Sequence, residues 1–121
     1  MESVSSDVMF DFNSTALKPG AKAELDRIIA EAKTRDFSSL TIRGYTDQIG
    51  SADINAKLSL DRANAVRDYL RTHGFPADKQ INTEGKGSSD PVVPLSSCPD
   101  SSTQQSCLAA NRRVTFTWNK A

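Results

Sequence analysis

The sequence predicts an α/β sandwich: a mixed four-stranded sheet with two main helices packed on one face, in β-α-β-α-β-loop-β order. Three observations carry this reading. Two segments repeat apolar residues at helical spacing, Leu25, Ile28, Ile29 and Ala32 in one and Ala63, Val66, Tyr69 and Leu70 in the other. Short alternating runs precede, separate and follow them. A single uninterrupted layer of helices on a sheet is the simplest way to bury both patterns at once.

Taken in order, Asp7 to Phe12 alternates, with Val8, Phe10 and Phe12 on one side and Met9 and Asp11 on the other, and reads as the first strand. Asn13-Ser14-Thr15 follows as a turn. Lys18-Pro19-Gly20 opens the first helix, proline being suited to a first turn where its missing N–H has no partner to lose. Ser39 to Tyr45 is the second strand, with Leu40 and Ile42 inward. Asp53 to His73 is the second helix, ended by Gly74 in a left-handed cap. Gln80 to Glu84 is the third strand. Residues 86–110 form a long loop with neither period, and Arg112 to Asn119 closes the sheet with Val114, Phe116 and Trp118 inward.

The 121 residues make one domain, 1–121, with no internal repeat, and Met1-Glu2-Ser3 reads as an added start to an excised piece. Fifteen basic and fifteen acidic residues cancel, so the composition advertises no nucleic-acid or anionic-lipid partner. No apolar run approaches the roughly 20 residues that a membrane-spanning helix needs. Cys98 and Cys107 bracket a polar Ser- and Gln-rich stretch with no histidine or further cysteine beside it, a poor zinc site. A loop disulfide is the better reading and implies an oxidising compartment; two free thiols in the cytosol are the alternative. Lying far from the other motifs in sequence, such a disulfide is expected to support stability and to leave ligand binding almost unchanged.

The most informative position is Arg62. At about 100° per residue, the second helix puts Asn55, Arg62, Val66 and Tyr69 on one stripe beside Ala63 and Leu70. A guanidinium there costs several kcal/mol unless it meets an anion or reaches a crevice. Asp47, at the end of the second strand, can face the same crevice. The pair suits a small zwitterion, its ammonium at Asp47 and its carboxylate at Arg62, where arginine offers a two-pronged fork that lysine lacks. An internal Asp47–Arg62 ion pair is the competing explanation. Because alanine suits a helix interior, Arg62→Ala is expected to cost little stability. Asp11, beside Phe12 and Asn13, is placed on the same crevice.

The stretch from Gly44 to Gly74 carries Thr46, Asp47, Gly50, Asn55, Leu58, Ser59, Arg62, Ala63, Val66, Leu70 and Gly74 at fixed spacing. Together with Phe10-Asp11-Phe12-Asn13 and Asn111-Arg112-Arg113-Val114, this resembles the OmpA-like peptidoglycan-binding domains over nearly the whole chain. The cysteine-bracketed insertion looks most like the outer membrane protein A branch. The resemblance implies non-catalytic binding of peptidoglycan through the diaminopimelate of its stem peptide, in a periplasmic domain that anchors the outer membrane to the cell wall. By that resemblance Asp47 holds the ammonium and Arg62 the carboxylate. Thr46, Asn55 and Asn13 add hydrogen bonds, and Leu58 forms a wall. The arginines of the last triplet are read as structural, with Arg113 packing on the sheet.

No enzyme is expected. The lone histidine, His73, sits at a helix C-terminus, where a cation is favoured, and no serine, cysteine or lysine has a credible base. No cofactor or metal is expected, no direct membrane contact by this domain, and a homodimer stays open. The second functional reading is a protein-interaction or small-ligand regulatory module of similar α/β sandwich fold.

Overall fold

The computed structural model describes residues 1–120. Its elements are β1 (Glu2–Ser5), α1 (Ser6–Met9), α2 (Pro19–Ala32), β2 (Ser39–Tyr45), α3 (Ala52–Thr72), β3 (Gln80–Gly85), α4 (Gln104–Cys107) and β4 (Arg113–Asn119). Single 3₁₀ turns at Leu95–Ser97 and Ala109–Asn111 punctuate the long connection before β4. The sheet order is β1-β4-β2-β3, with β2 and β3 parallel and the other pairs antiparallel. A parallel neighbour needs a crossover, and α3 supplies it between β2 and β3. Inward residues of α2 (Leu25, Ile28), of α3 (Val66, Leu70) and of the sheet (Leu40, Ile42, Val114, Phe116) share one apolar core.

The predicted sandwich is therefore present, with one displaced element. The first strand is Glu2–Ser5 and not Asp7 to Phe12, and Glu2 and Ser3 pair with Phe116 and Thr115, so the chain start belongs to the sheet. Ser5 is the reason. Its Oγ accepts the Asp7 N–H at 3.2 Å, capping one helical turn that an aspartate in the first turn favours. That turn breaks the apparent alternation. Met9 and Phe10 are both buried, while Val8 is 44% and Phe12 83% exposed. Phe10 retains only a single bridge to Leu17.

Helix α3 determines the site. Ser51 caps it by accepting the Ile54 N–H at 3.1 Å, and Gly74 follows it at φ +101°, the left-handed geometry expected of a C-terminal cap. His73 is its C-terminal capping residue, with Nδ1 2.8 Å from the Tyr69 carbonyl oxygen. Two glycines let the helix lie directly on the strands. A Cβ on Gly44 would run into the Ser59 carbonyl, and one on Gly85 would meet Leu60 Cβ at 2.6 Å. This close seating brings the first three turns of α3 against the end of β2, where Thr46 and Asp47 emerge. No helix of the described chain is long and apolar enough to cross a membrane.

Candidate ligand-binding cleft

A cleft of about 940 Å³ opens where three segments converge: the turn after α1, the β2–α3 connection and the disulfide-closed segment before β4. All seven residues expected to bind ligand line it: Asp11, Asn13, Thr46, Asp47, Asn55, Leu58 and Arg62. Their roles within it differ.

Arg62 is the cleft's buried cation, 7% exposed. Its Nε donates to the Ser14 carbonyl at 2.9 Å and its Nη2 to the Asp11 carbonyl at 3.1 Å, and the guanidinium lies 4.9 Å from the centre of the Phe10 ring. Among the described residues no carboxylate pairs with it, and Nη1 donates to no protein acceptor. Desolvation pulls its pKa below the ordinary arginine value, with Asp7 opposing that shift and Arg112 adding to it. It nevertheless stays charged, as arginine does.

Asp47 does not face Arg62 in an ion pair. Its Oδ2 accepts from Arg112 Nη1 at 2.8 Å, and its Oδ1 accepts the Ile49 N–H at 3.0 Å. Arg112 in turn forks onto Asp7, Nε to Oδ1 at 3.1 Å and Nη2 to Oδ2 at 3.0 Å. The Asp7 hydrogen bonds are the largest reason its pKa is raised; burial opposes them, and Asp47 adds to the rise. Two carboxylates against one guanidinium leave this end of the cleft one negative charge in excess. The Arg62 end carries one positive charge.

The remaining residues shape the cleft. Thr46 is buried; its N–H donates to the Gly87 carbonyl at 2.8 Å and its hydroxyl to the Asp47 carbonyl at 2.9 Å. Asn55, also buried, donates from Nδ2 to the Ile49 carbonyl at 2.9 Å and braces the connection around Gly50. Asn13 sits at φ 55°, a left-handed geometry that asparagine tolerates better than most residues. Asp11 is an exposed rim group 3.6 Å from Lys18 Nζ, and half-buried Leu58 is an apolar wall. Phe12, Ile49 and Ile54 add exposed apolar edges to the rim.

Three contributions escaped the sequence reading: Arg112, Asp7 and the segment Ser101–Gln105. Arg112 and Arg113 are neighbours at the start of an extended strand, so their side chains leave on opposite sides. Arg113 does pack on the sheet, 3.8 Å from the Tyr45 ring centre. That left Arg112 to find a partner elsewhere, a signal present in the sequence but unused. Cys98 and Cys107 are disulfide-bonded as expected, yet the bridged segment is not remote from the cleft. It forms one of its walls.

The profile of the OmpA family matches residues 9–104, which include the turn after α1 and the whole of the β2–α3 unit. The chain belongs to the OmpA family. It is 42% identical over 114 residues to outer membrane protein A of Klebsiella aerogenes, covering 90% of this chain and 32% of that protein. Identity is the same to outer membrane protein A of Escherichia fergusonii, of which it covers 46%. The chain thus spans about a third to a half of these relatives. Among solved structures, a putative MotB-like protein from Desulfovibrio vulgaris superposes with a TM-score of 0.78 at 28% identity, over 98% of this chain and 72% of that one. The cell wall anchor of the T6SS from Pseudomonas aeruginosa (TM-score 0.76, 24% identity, 98% and 80% coverage) shares the fold. So does the periplasmic domain of Helicobacter pylori MotB (0.78, 20%, 98% and 74%). Outer-membrane relatives and a disulfide, a bond rare in a reducing cytosol, place this OmpA-family domain in the periplasm.

Proposed function

We propose that this domain binds peptidoglycan without catalysis, taking the distal zwitterion of diaminopimelate in the cleft and so anchoring an outer-membrane component to the cell wall. Relatives bearing the outer membrane protein A name and a fold shared with a cell wall anchor support the general reading. The observation that carries the finer one is Arg62, a buried guanidinium in an open cleft with one nitrogen unused and no carboxylate paired to it among the described residues. A folded protein tolerates that arrangement poorly unless an anion completes it.

The two ends of the cleft match the two charges of the ligand. The ligand carboxylate approaches Nη1 of Arg62. Its ammonium approaches the Asp47–Asp7 side, where each carboxylate oxygen retains lone-pair capacity and one negative charge is in excess. Asn13 and Thr46 contribute hydrogen bonds, and Leu58 packs on the aliphatic chain.

Diaminopimelate differs from lysine by one carboxylate beside the distal ammonium. A lysine-type stem peptide meets Asp47 equally but gives Arg62 nothing, forfeiting a charge-assisted hydrogen bond worth ~1.5–3 kcal/mol, about ten- to a hundredfold in affinity. Calorimetric titration with matched peptides of the two types tests this. Equal affinities would overturn the zwitterion reading while leaving wall binding by another route.

A further inference from the structure

The wall that the zwitterion reading leaves unused is the disulfide-closed segment. Ser101, Ser102, Gln104 and Gln105 line the same cleft as Asp47 and Arg62. From Ser101 to Cys107 no residue is charged, so this wall offers only neutral donors and acceptors. Some of those groups are committed to holding the segment in shape. Gln104 Nε2 donates to the Cys98 carbonyl at 3.0 Å, and the Ser101 hydroxyl lies 3.1 Å from that of Thr103. The Gln105 carbonyl accepts from Arg112 Nη1 at 3.0 Å, and the same nitrogen holds Asp47, which ties the wall to the charged end of the site.

Two groups are left over. The Gln105 carboxamide and the Ser102 hydroxyl are exposed and have no hydrogen-bond partner among the described residues. The cleft is also larger than an amino-acid zwitterion requires. At about 940 Å³ it lies near the top of the range, roughly 300–1,000 Å³, of sites that take whole drug-sized molecules.

We propose that Ser102 and Gln105 form a second, neutral subsite of the cleft, which binds backbone amides of the stem peptide next to its diaminopimelate. The proposal rests on the diaminopimelate reading and extends it. A carboxamide presents a donor and an acceptor side by side, the complement of a peptide group, and a hydroxyl can serve as either. The disulfide and Arg112 keep this wall at a fixed distance from Asp47, so one rigid ligand can reach both.

The test compares free diaminopimelate with a stem tripeptide ending in diaminopimelate, each titrated calorimetrically into the wild-type domain and into a Ser102→Ala, Gln105→Ala double variant. Both side chains are exposed, so the double variant folds with an unchanged thermal midpoint. Wild type binds the tripeptide more tightly than the free amino acid. The double variant binds free diaminopimelate as wild type does but loses about three- to tenfold in tripeptide affinity, the worth of one net hydrogen bond. Reduced protein shows the same selective loss. If the double variant binds the tripeptide as tightly as wild type, or loses affinity for both ligands alike, the neutral subsite is overturned. If wild type binds neither ligand, the diaminopimelate reading itself falls.

Discussion

Arg112 Nη1 sits 2.8 Å from Asp47 Oδ2, and both side chains are only 14% exposed. The ion pair joins the residue just before β4 to the second residue after β2, across 65 positions of chain. It stands in place of the internal Asp47–Arg62 ion pair that was the competing explanation for these two residues. The consequence is that the two charges expected to read the ligand are each held by the protein separately, Asp47 by a guanidinium and Arg62 by two carbonyls.

Arg112→Gln is expected to lower stability by about 2 kcal/mol, mainly by leaving the largely buried Asp47 carboxylate without its partner. The Asp7 contact adds little, because the Asp7 side chain is 53% exposed and water screens it. Asp7→Asn, in the same host, is therefore expected to cost well under half as much. Urea unfolding of the two variants gives the ratio, and equal costs would contradict the burial argument.

Arg62→Ala is expected to abolish ligand binding. Contrary to the small cost that helix propensity alone suggested, it is also expected to lower stability by roughly 1.5–3 kcal/mol, because the guanidinium holds the Ser14 and Asp11 carbonyls by hydrogen bonds from a charged group. The helix propensity of alanine offsets only a few tenths of that. The Ser14 and Asp11 carbonyls lose their donor, so the turn at residues 11–14 loosens. Hydrogen exchange should show lost protection at the Ser14 amide, which bonds the Asp11 carbonyl at 3.0 Å. Unchanged stability would mean water replaces the guanidinium without penalty.

Removing the disulfide by Cys98→Ser with Cys107→Ser costs at most about 3 kcal/mol, the chain-entropy limit for so short a loop. The core does not include the loop, so the variant stays folded at room temperature. Differential scanning calorimetry checks both points. Loss of the cooperative transition would show that the loop supports the whole domain.

Gly44→Ala is expected to be among the most disruptive single substitutions, at about 3 kcal/mol or more. Its Cβ meets the Ser59 backbone carbonyl, and a helix backbone cannot yield as a flexible side chain does. Displacing α3 from β2 also moves Arg62 relative to Asp47, so affinity and stability fall together. Thermal melts with parallel binding assays would show the coupling, and a stable variant with lost affinity would point to a local effect alone.

Sequence by itself determined the two main helices, the last three strands and the polarity of the site. Pro19 at a helix start, Gly74 at a helix end and the 3.6-residue stripe from Asn55 to Leu70 are short-range signals, and each appears where the spacing put it. The unusual Arg62 on that stripe marked the cleft for the same reason: burial of a charge is visible from period alone. The first strand was misplaced because Val8, Phe10 and Phe12 give a clearer alternation than residues 2–5, which carry a single apolar side chain, Val4, and only pairing with β4 and the Ser5 cap select Glu2–Ser5. Only tertiary structure decided which charges meet. Asp7, Asp47 and Arg112 lie 40 and 65 residues apart, and periodicity carries no information across the turns between them. The disulfide segment became a wall of the cleft through the same long-range closure, since folding β4 between β1 and β2 carries the preceding loop to the mouth of the site.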